Sequence, residues 1–458
     1  MKQAAAIVLA AGEGTRMRSA LPKVAHEILG VPLVRYVVDA ARTAGVGRVV
    51  TVVGHKSEAV SALVSDTEIA IQDRQLGTGH AVRSAEKTLE GFDGPVLVLA
   101  GDAPLLRPET LIRLVESFRE TGAGCVVLTA HLVDPTGYGR IVRDSDDSVA
   151  AIVEQRDLSP ESLVTDECNT GVYCFDARAL FTALDRVTTH NSQGEYYLTD
   201  AIALLRADGR TVKALTLEDP DESHGINTRV QLAHAARLMQ HRINEAHMLA
   251  GATMTDPTLV WIGPKVTIGR DVIIEPMTEL AGATSVADDV TIGPNTRVLD
   301  SVIESGARVE QSVVRGARIG VGASVGPNAF IRPGTVLGPN SKAGSFVEVK
   351  NSTIGEGSKV PHLSYIGDAV VGTGVNIGAG SITCNYDGRD KHATVIGDGA
   401  FIGSDTMLVA PVEIGANAMT AAGSAIAKNV PAGALGIERT EQRTIEGWAA
   451  RRKTGNDE

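Results

Sequence analysis

Three short runs in the first hundred residues could handle phosphate. Gly12-Glu13-Gly14-Thr15-Arg16 follows an apolar stretch, Pro22-Lys23 comes soon after, and Gly101-Asp102 closes the apolar run Val96–Leu99 one residue further on. A glycine loop can turn its backbone N–H groups toward phosphate oxygens. Arg16 and Lys23 can neutralise the charge from either side. Asp102 lies just past an apolar strand, where open α/β sheets bind ligands, and its carboxylate suits Mg2+ between phosphates. Each feature alone also fits a solvated turn. Far away in the chain, His362 lies in VPHLSYIGD and Asn385 in CNYDGRDKH. An unperturbed imidazole titrates near pH ~6.5, which makes it a natural base at neutrality.

Other readings of the opening stretch fail on spacing. A dinucleotide fingerprint needs a third glycine where Met17 stands, and no Gly-Lys-Ser/Thr completes a P-loop. A secretion signal needs a small-residue cleavage site, but Ala4–Ala11 runs straight into Gly-Glu-Gly-Thr-Arg. The four cysteines (Cys125, Cys168, Cys174, Cys384) show no paired spacing, as expected for small core residues in the cytoplasm. A net charge of −12 argues against nucleic acid and anionic membrane as partners. No apolar run approaches the ~20 residues that span a bilayer.

The elements that must position these residues differ along the chain. Over 1–227, apolar runs (Ala5–Leu9, Val49–Val53, Val96–Leu99, Cys125–Thr129, Val172–Phe175) alternate with stretches of helical spacing such as Pro32–Ala44 and Pro108–Phe118. That pattern predicts a Rossmann-like α/β domain with a mostly parallel sheet. Residues 228–250 read as one linker helix with Leu232, Ala235, Ala236, Met239, Ile243 and Ala246 on its apolar side. His234, His241 and His247 on it read as a solvated face rather than a metal site. From 251 to 437 an aliphatic residue recurs every six positions: Ile262, Ile268, Ile274, Leu280, Val286, Ile292, Val298, then Ile319 to Leu337, then Ile396 to Ile414. Period six fits neither helix nor simple strand. It predicts a left-handed parallel β-helix of hexapeptide repeats, three to a coil. An aromatic content of 3% suits its narrow interior. The count breaks at Ser341–Asn351 and again between Ile377 and Ile396, one residue more than three hexads, and chemistry is expected at both breaks. Residues 438–458 form a tail with a basic end.

Together these residues resemble the sugar-1-phosphate nucleotidyltransferase (pyrophosphorylase) family. The signature reads here as Leu9-Ala10-Ala11-Gly12-Glu13-Gly14-Thr15-Arg16-Met17, Pro22-Lys23 and Gly101-Asp102. Gln72, Gly77-Thr78, Tyr138-Gly139, Glu154, Asn169-Thr170-Gly171 and Asn227 match in order. Joined to the hexapeptide half, the whole chain resembles the bacterial bifunctional uridyltransferases and acetyltransferases that make UDP-N-acetylglucosamine. The resemblance implies UTP and N-acetylglucosamine-1-phosphate as substrates of the first half, and acetyl-CoA and glucosamine-1-phosphate as substrates of the second. Leu9, Ala10, Ala11 and Gly12 through Gly14 then wrap the nucleotide, with Arg16 and Lys23 as its cations. Gln72, Gly77 and Thr78 read the uracil, and Gly139, Glu154 and Asn169 hold the sugar. Asp102 and Asn227 bind Mg2+. In the second half His362 is the base and Asn385 orients it. Arg332, Lys350, Tyr365 and Asn376 hold glucosamine phosphate, with Glu348 assisting. Ala379, Asn385, Tyr386, Ser404, Ala422 and Arg439 surround acetyl-CoA. A homotrimer is implied, with the tail reaching a neighbour's site. Two positions depart from the family. Ala100 stands where many members have Tyr, and Glu13 where many have Lys, so Glu13 is expected to face solvent.

Two other functions stay open at this level. One is a single-activity nucleotidyltransferase whose β-helix only assembles or regulates; His362 and Asn385 weigh against it. The other is an inactive subunit of the same architecture; Lys23, Asp102 and Asn227 weigh against that.

Overall fold

The structure is a computed structural model that describes every residue except 2, 13, 55, 56, 159–164 and 454–458. Glu13 therefore lies outside the described residues. The chain forms two compact units, Met1–Gln240 and His241–Glu458.

The first unit is built on one sheet. Its strands are β1 (Ala5–Ala10), β2 (Arg48–Val53), β3 (Glu68–Ile71), β4 (Pro95–Ala100), β5 (Cys125–His131), β6 (Arg140–Arg143), β7 (Val149–Val153), β8 (Glu167–Asp176) and β9 (Val212–Thr216). The order is β9-β5-β8-β4-β1-β2-β3, with β6 and β7 attached beside β8. β1 pairs in parallel with β2 and β4, while β8 runs antiparallel between β4 and β5. Successive residues of β1 feed two separate cores. Ala5 and Ile7 join the core on one face, and Ala6, Val8 and Ala10 the core on the other. A strand covered on both faces must be apolar throughout, which explains the signal-like opening run. Cys125, Cys168 and Cys174 are buried core residues, and Cys384 is half-buried.

Helix Arg229–Leu249 covers the expected linker, and the two units meet within it. Its polarity differs from the expectation. Ala246 is exposed, whereas Gln240 and Asn244 are buried. The Asn244 amide donates to the carbonyls of Pro257 and Val260 at 2.8 and 2.9 Å, so a buried polar side chain ties the helix to the start of the prism.

The second unit is a parallel β-helix with three faces of 11, 10 and 9 strands, beginning at Thr253–Met254, Val260–Ile262 and Thr267–Ile268. Ile262, Ile268 and Ile274 fall on faces two, three and one in turn, and Ile274 pairs with Ile292 one coil later. The apolar core is made of Ala, Val, Leu, Ile and Met254, and Ser and Thr such as Ser358, Ser381 and Thr406 are buried beside them. Two expectations are corrected. Ser341–Asn351 keeps the count further than expected, because Ala343 and Val349 continue the inward spacing after Leu337 and are fully buried; one residue is lost only between Val349 and Ile354. Alanine carries too weak an apolar signal to be counted from sequence. The second break is larger than one residue. Ile377 lies on face one and pairs with Ile402, 25 positions on, whereas Ile396 lies on face three. The loop after Cys384 therefore adds seven residues to an 18-residue coil.

Among the described residues no helix is long and apolar enough to cross a membrane.

Candidate active sites

In the first unit the parallel strands β1 and β4 end side by side. Gly101 permits this, since a Cβ there would lie 2.7 Å from the Leu9 carbonyl oxygen. The chain leaving β1 turns at Gly14, whose φ of 64° is left-handed. A side chain on Gly14 would collide with Cβ of Lys23, so the glycine also lets the second cationic segment close on the loop. Lys23 donates to Asp102 and, at 3.1 Å, to Oδ1 of Asn227. Arg16 donates to the same Oδ1 at 2.9 Å. Four residues scattered from 16 to 227 thus meet at one point.

Two of them, Lys23 and Asp102, border a cleft of about 430 Å³. Leu9, Ala11, Gly12, Lys23, Gln72, Gly77, Thr78 and Asp102 line it, as does Ala100. Ala10 does not, because its side chain is buried in the core on the other face. Gln72 is 4% exposed, and its amide nitrogen faces the Gly77 carbonyl and His80 Nδ1, each at 3.1 Å. That arrangement leaves its carbonyl oxygen as an acceptor for a base N–H. Gln75 also lines the cleft and donates to the Ala11 carbonyl at 2.6 Å, fastening the loop. Nothing in its sequence context distinguishes it from a surface polar residue.

Gly139, Glu154 and Asn169 form a neighbouring group. The Asn169 N–H donates to the Gly139 carbonyl at 2.9 Å, and its side chain to Tyr173 at 2.7 Å. Glu154 accepts from Thr199 at 3.2 Å. Burial pushes the Glu154 carboxyl above its usual range, against the pull of Thr199, and the charges of Asp157 and Asp200 add to the rise.

In the second unit, the coil corners set up two columns of residues. Register at the first corner follows from Lys359 on Asn376, Ile377 on Ile402 and Ile402 on Thr420. It places His362, Ala379, Ser404 and Ala422 level on successive coils. Each is followed by a left-handed residue: Leu363, Gly380, Asp405 and Gly423, with φ of 50°, 77°, 58° and 72°. Arg439 donates to the Ala422 carbonyl at 2.9 Å and so joins this column. Asn376 stands on the adjoining face, beside the inward Ile377.

The second column, between faces two and three, stacks Asn351, Asp368 and Asn385. Asp368 Oδ1 accepts from Asn351 at 2.7 Å, and Oδ2 from Asn385 at 2.5 Å. Lys350 approaches the same Oδ2 at 3.5 Å, and Tyr365 OH lies 3.5 Å from the Asn385 amide nitrogen. Gly367 makes room, because a Cβ there would lie 2.8 Å from that nitrogen. Arg332 pairs with Glu348 at 2.7 Å. Lys391, in the inserted loop, interacts with Lys350 and feels Arg332, and this lowers its pKa. Three cations crowded at one corner suit an anionic ligand. Lys391 escaped the sequence reading because a charge in a polar loop looks solvated. Tyr386 bridges to Lys391 across the loop and is exposed.

One expected contact does not form within a single chain. His362 ends a face-one strand, whereas Asn385 lies at the corner after face two, and no hydrogen bond joins them. His362 is exposed.

Fold and sites define a two-part transferase: a nucleotidyltransferase sheet unit joined to a hexapeptide-repeat prism. Residues 6–196 match the MobA-like NTP transferase domain, residues 313–409 the GMPPB C-terminal domain, and residues 393–428 the bacterial transferase hexapeptide (six repeats). The chain is 51% identical to the bifunctional protein GlmU of Streptomyces coelicolor, over 100% of this chain and 96% of that one. It is 50% identical to that of Heliobacterium modesticaldum over 100% of both chains, and 48% to that of Trichlorobacter lovleyi over 99% of both. The chain belongs to the bifunctional GlmU family.

Proposed function

We propose that the chain makes UDP-N-acetylglucosamine in two steps, acetyl transfer in the prism and uridylyl transfer in the sheet unit. In the first step the amine of glucosamine-1-phosphate attacks the thioester carbonyl of acetyl-CoA. A C–N bond forms, the C–S bond breaks, His362 takes the amine proton, and the CoA sulfur leaves and is protonated. Arg332, Lys350, Tyr365, Asn376 and Lys391 hold the sugar phosphate. Ala379, Ser404, Ala422, Tyr386 and Arg439 flank the coenzyme.

In the second step a phosphate oxygen of N-acetylglucosamine-1-phosphate attacks the α-phosphorus of UTP, and pyrophosphate leaves. No protein nucleophile is needed; positioning and charge neutralisation supply the rate. Gly12 through Gly14, Arg16 and Lys23 bind the phosphates, Gln72 and Thr78 the base, and Gly139, Glu154 and Asn169 the sugar. Asp102 and Asn227 suit Mg2+, since their oxygens already converge on one cation, the Lys23 ammonium. When bound there, the ion supplies positive charge between phosphate oxygens.

The working form is a homotrimer whose acetyl-transfer sites are completed between chains. The separation of His362 from Asn385 on one chain supports this. So do Phe346 and Leu363, 61% and 63% exposed on left-handed backbone, where glycine, with no Cβ, would be easier. Sedimentation of the intact protein tests assembly.

The observation that carries the two-activity reading is the presence of both constellations in one chain: Lys23 with Asp102 and Asn227 in the sheet unit, and His362, Lys350 and Asn385 at the corners of the prism. The test is direct. Intact protein must release CoA from acetyl-CoA with glucosamine-1-phosphate, and pyrophosphate from UTP with N-acetylglucosamine-1-phosphate. Absence of CoA release would leave only the single-activity reading.

A further inference from the structure

We propose that Asp368 is a positioning residue for acetyl transfer, fixing the Asn385 amide so that its carbonyl oxygen faces the reacting groups. The proposal rests on the reading of Asn385 as part of that site.

Corner aspartates elsewhere in the prism cap backbone N–H groups. Asp288 accepts from the N–H of Arg270, Asp300 from that of Ala283, and Asp398 from that of Thr373, at 2.7 to 2.8 Å. Asp368 differs, because the donors to its carboxylate are all side chains, from the coils on either side. Its side chain is only 14% exposed. Burial would raise its pKa, but the donors Asn351 and Asn385 and the charge of Lys350 outweigh that and keep it low. It is therefore a carboxylate, and a carboxylate only accepts.

That fact settles the direction of the Asn385 amide. The NH2 must face Asp368, because the reverse would point a carbonyl oxygen at an anion. Asn385 is 8% exposed, so its amide has little room to adopt another pose. Its Oδ1 accepts no hydrogen bond from the described residues and is left as an acceptor. Acceptance from an imidazole N–H or a sugar amine N–H would aim the reacting pair. Lys350, on the same Asp368 oxygen, is held toward the sugar phosphate by the same carboxylate.

The test uses the full-length chain. Asp368→Asn is expected to lower kcat for acetyl transfer roughly 10- to 100-fold, with KM for glucosamine-1-phosphate changed less than about threefold. Uridylyl transfer and the thermal unfolding curve serve as controls in the same sample. Asn351→Ala removes the other amide donor to Asp368 and is expected to leave kcat within about twofold. The double variant Asp368→Asn/Asn385→Asp restores an amide–carboxylate pair in the opposite sense and keeps an acceptor oxygen. It is expected to recover at least about tenfold over Asp368→Asn. Should Asp368→Asn unfold the prism, Asp368→Ser, which keeps the corner small, carries the same expectation. A kcat within twofold of wild type, a change confined to KM, or no recovery in the double variant overturns the proposal. If Asn385→Ala leaves acetyl transfer intact, the underlying reading of the site is what fails.

Discussion

The ammonium of Lys23 is hydrogen-bonded to the carboxylate of Asp102, from 79 positions away in the chain. The contact binds the segment after the glycine loop to the residues that follow β4. It also means that a metal ion at Asp102 competes with a resident cation.

Asp102→Ala is therefore expected to act on both charge and metal. Uridylyl transfer should fall at least about 100-fold. Acetyl transfer, which uses the other compact unit, should stay within about twofold. Binding of Mn2+, followed by its electron paramagnetic resonance signal, should weaken in the variant even without substrates. Unchanged Mn2+ affinity would remove Asp102 from the metal site.

His362→Ala should give the mirror-image result. Loss of a general base costs roughly 10²- to 10⁴-fold, here in CoA release alone. If acetyl transfer stays near wild type while pyrophosphate release is also unchanged, another group is the base.

Gly14→Ala forces a Cβ against Lys23 and onto left-handed backbone. The strain is about 1–2 kcal/mol. Because the loop is at the surface of the cleft, Lys23 should give way before the core does. We expect kcat/KM for UTP to fall roughly tenfold with little change in Tm. A large drop in Tm with normal kinetics would mean that Gly14 serves the fold instead.

Glu154→Gln should separate stability from sugar binding. The folded-state pKa of Glu154 is raised by burial, so the folded protein holds this proton more tightly than the unfolded chain does. Its favourable contribution is intact below the unfolded pKa, near ~4.3, and is lost as pH rises through the folded value. Glutamine never ionises. The variant should therefore gain Tm at pH 8 relative to wild type and gain little at pH 4. At the same time KM for N-acetylglucosamine-1-phosphate should rise. Thermal scans at the two pH values and one kinetic series check both halves.

Much of this was legible in residue types. β1 and its glycine loop could be read because a strand covered on both faces is apolar and because Gly14-Thr15-Arg16 departs abruptly from it. The prism could be read because one inward residue in six must be aliphatic. What escaped did so for physical reasons. Ala343 fills an inward position with a side chain too small to stand out as aliphatic, so the period is not visible there. The insertion after Cys384 was undercounted because a spacing between two isoleucines does not say which face each occupies. The separation of His362 from Asn385 depends on coil corners, which leave no mark on either residue's type. Asp368 and Lys391 carry no signature either, since their significance comes from the coils above and below.

One property of the prism concerns size. The coils from Thr253 to Ile331 carry none of the proposed acetyl-transfer residues, which begin at Arg332. In such a stack each coil contacts only its neighbours. Its length is then a ruler graduated in whole coils, such as the 18 residues from Ile274 to Ile292. Duplicating that segment would lengthen the prism by one strand spacing, about 4.8 Å, without turning any corner on which chemistry is mounted. A partial coil would rotate every later residue onto the wrong face. Viable length variants of this scaffold should therefore come in integer steps.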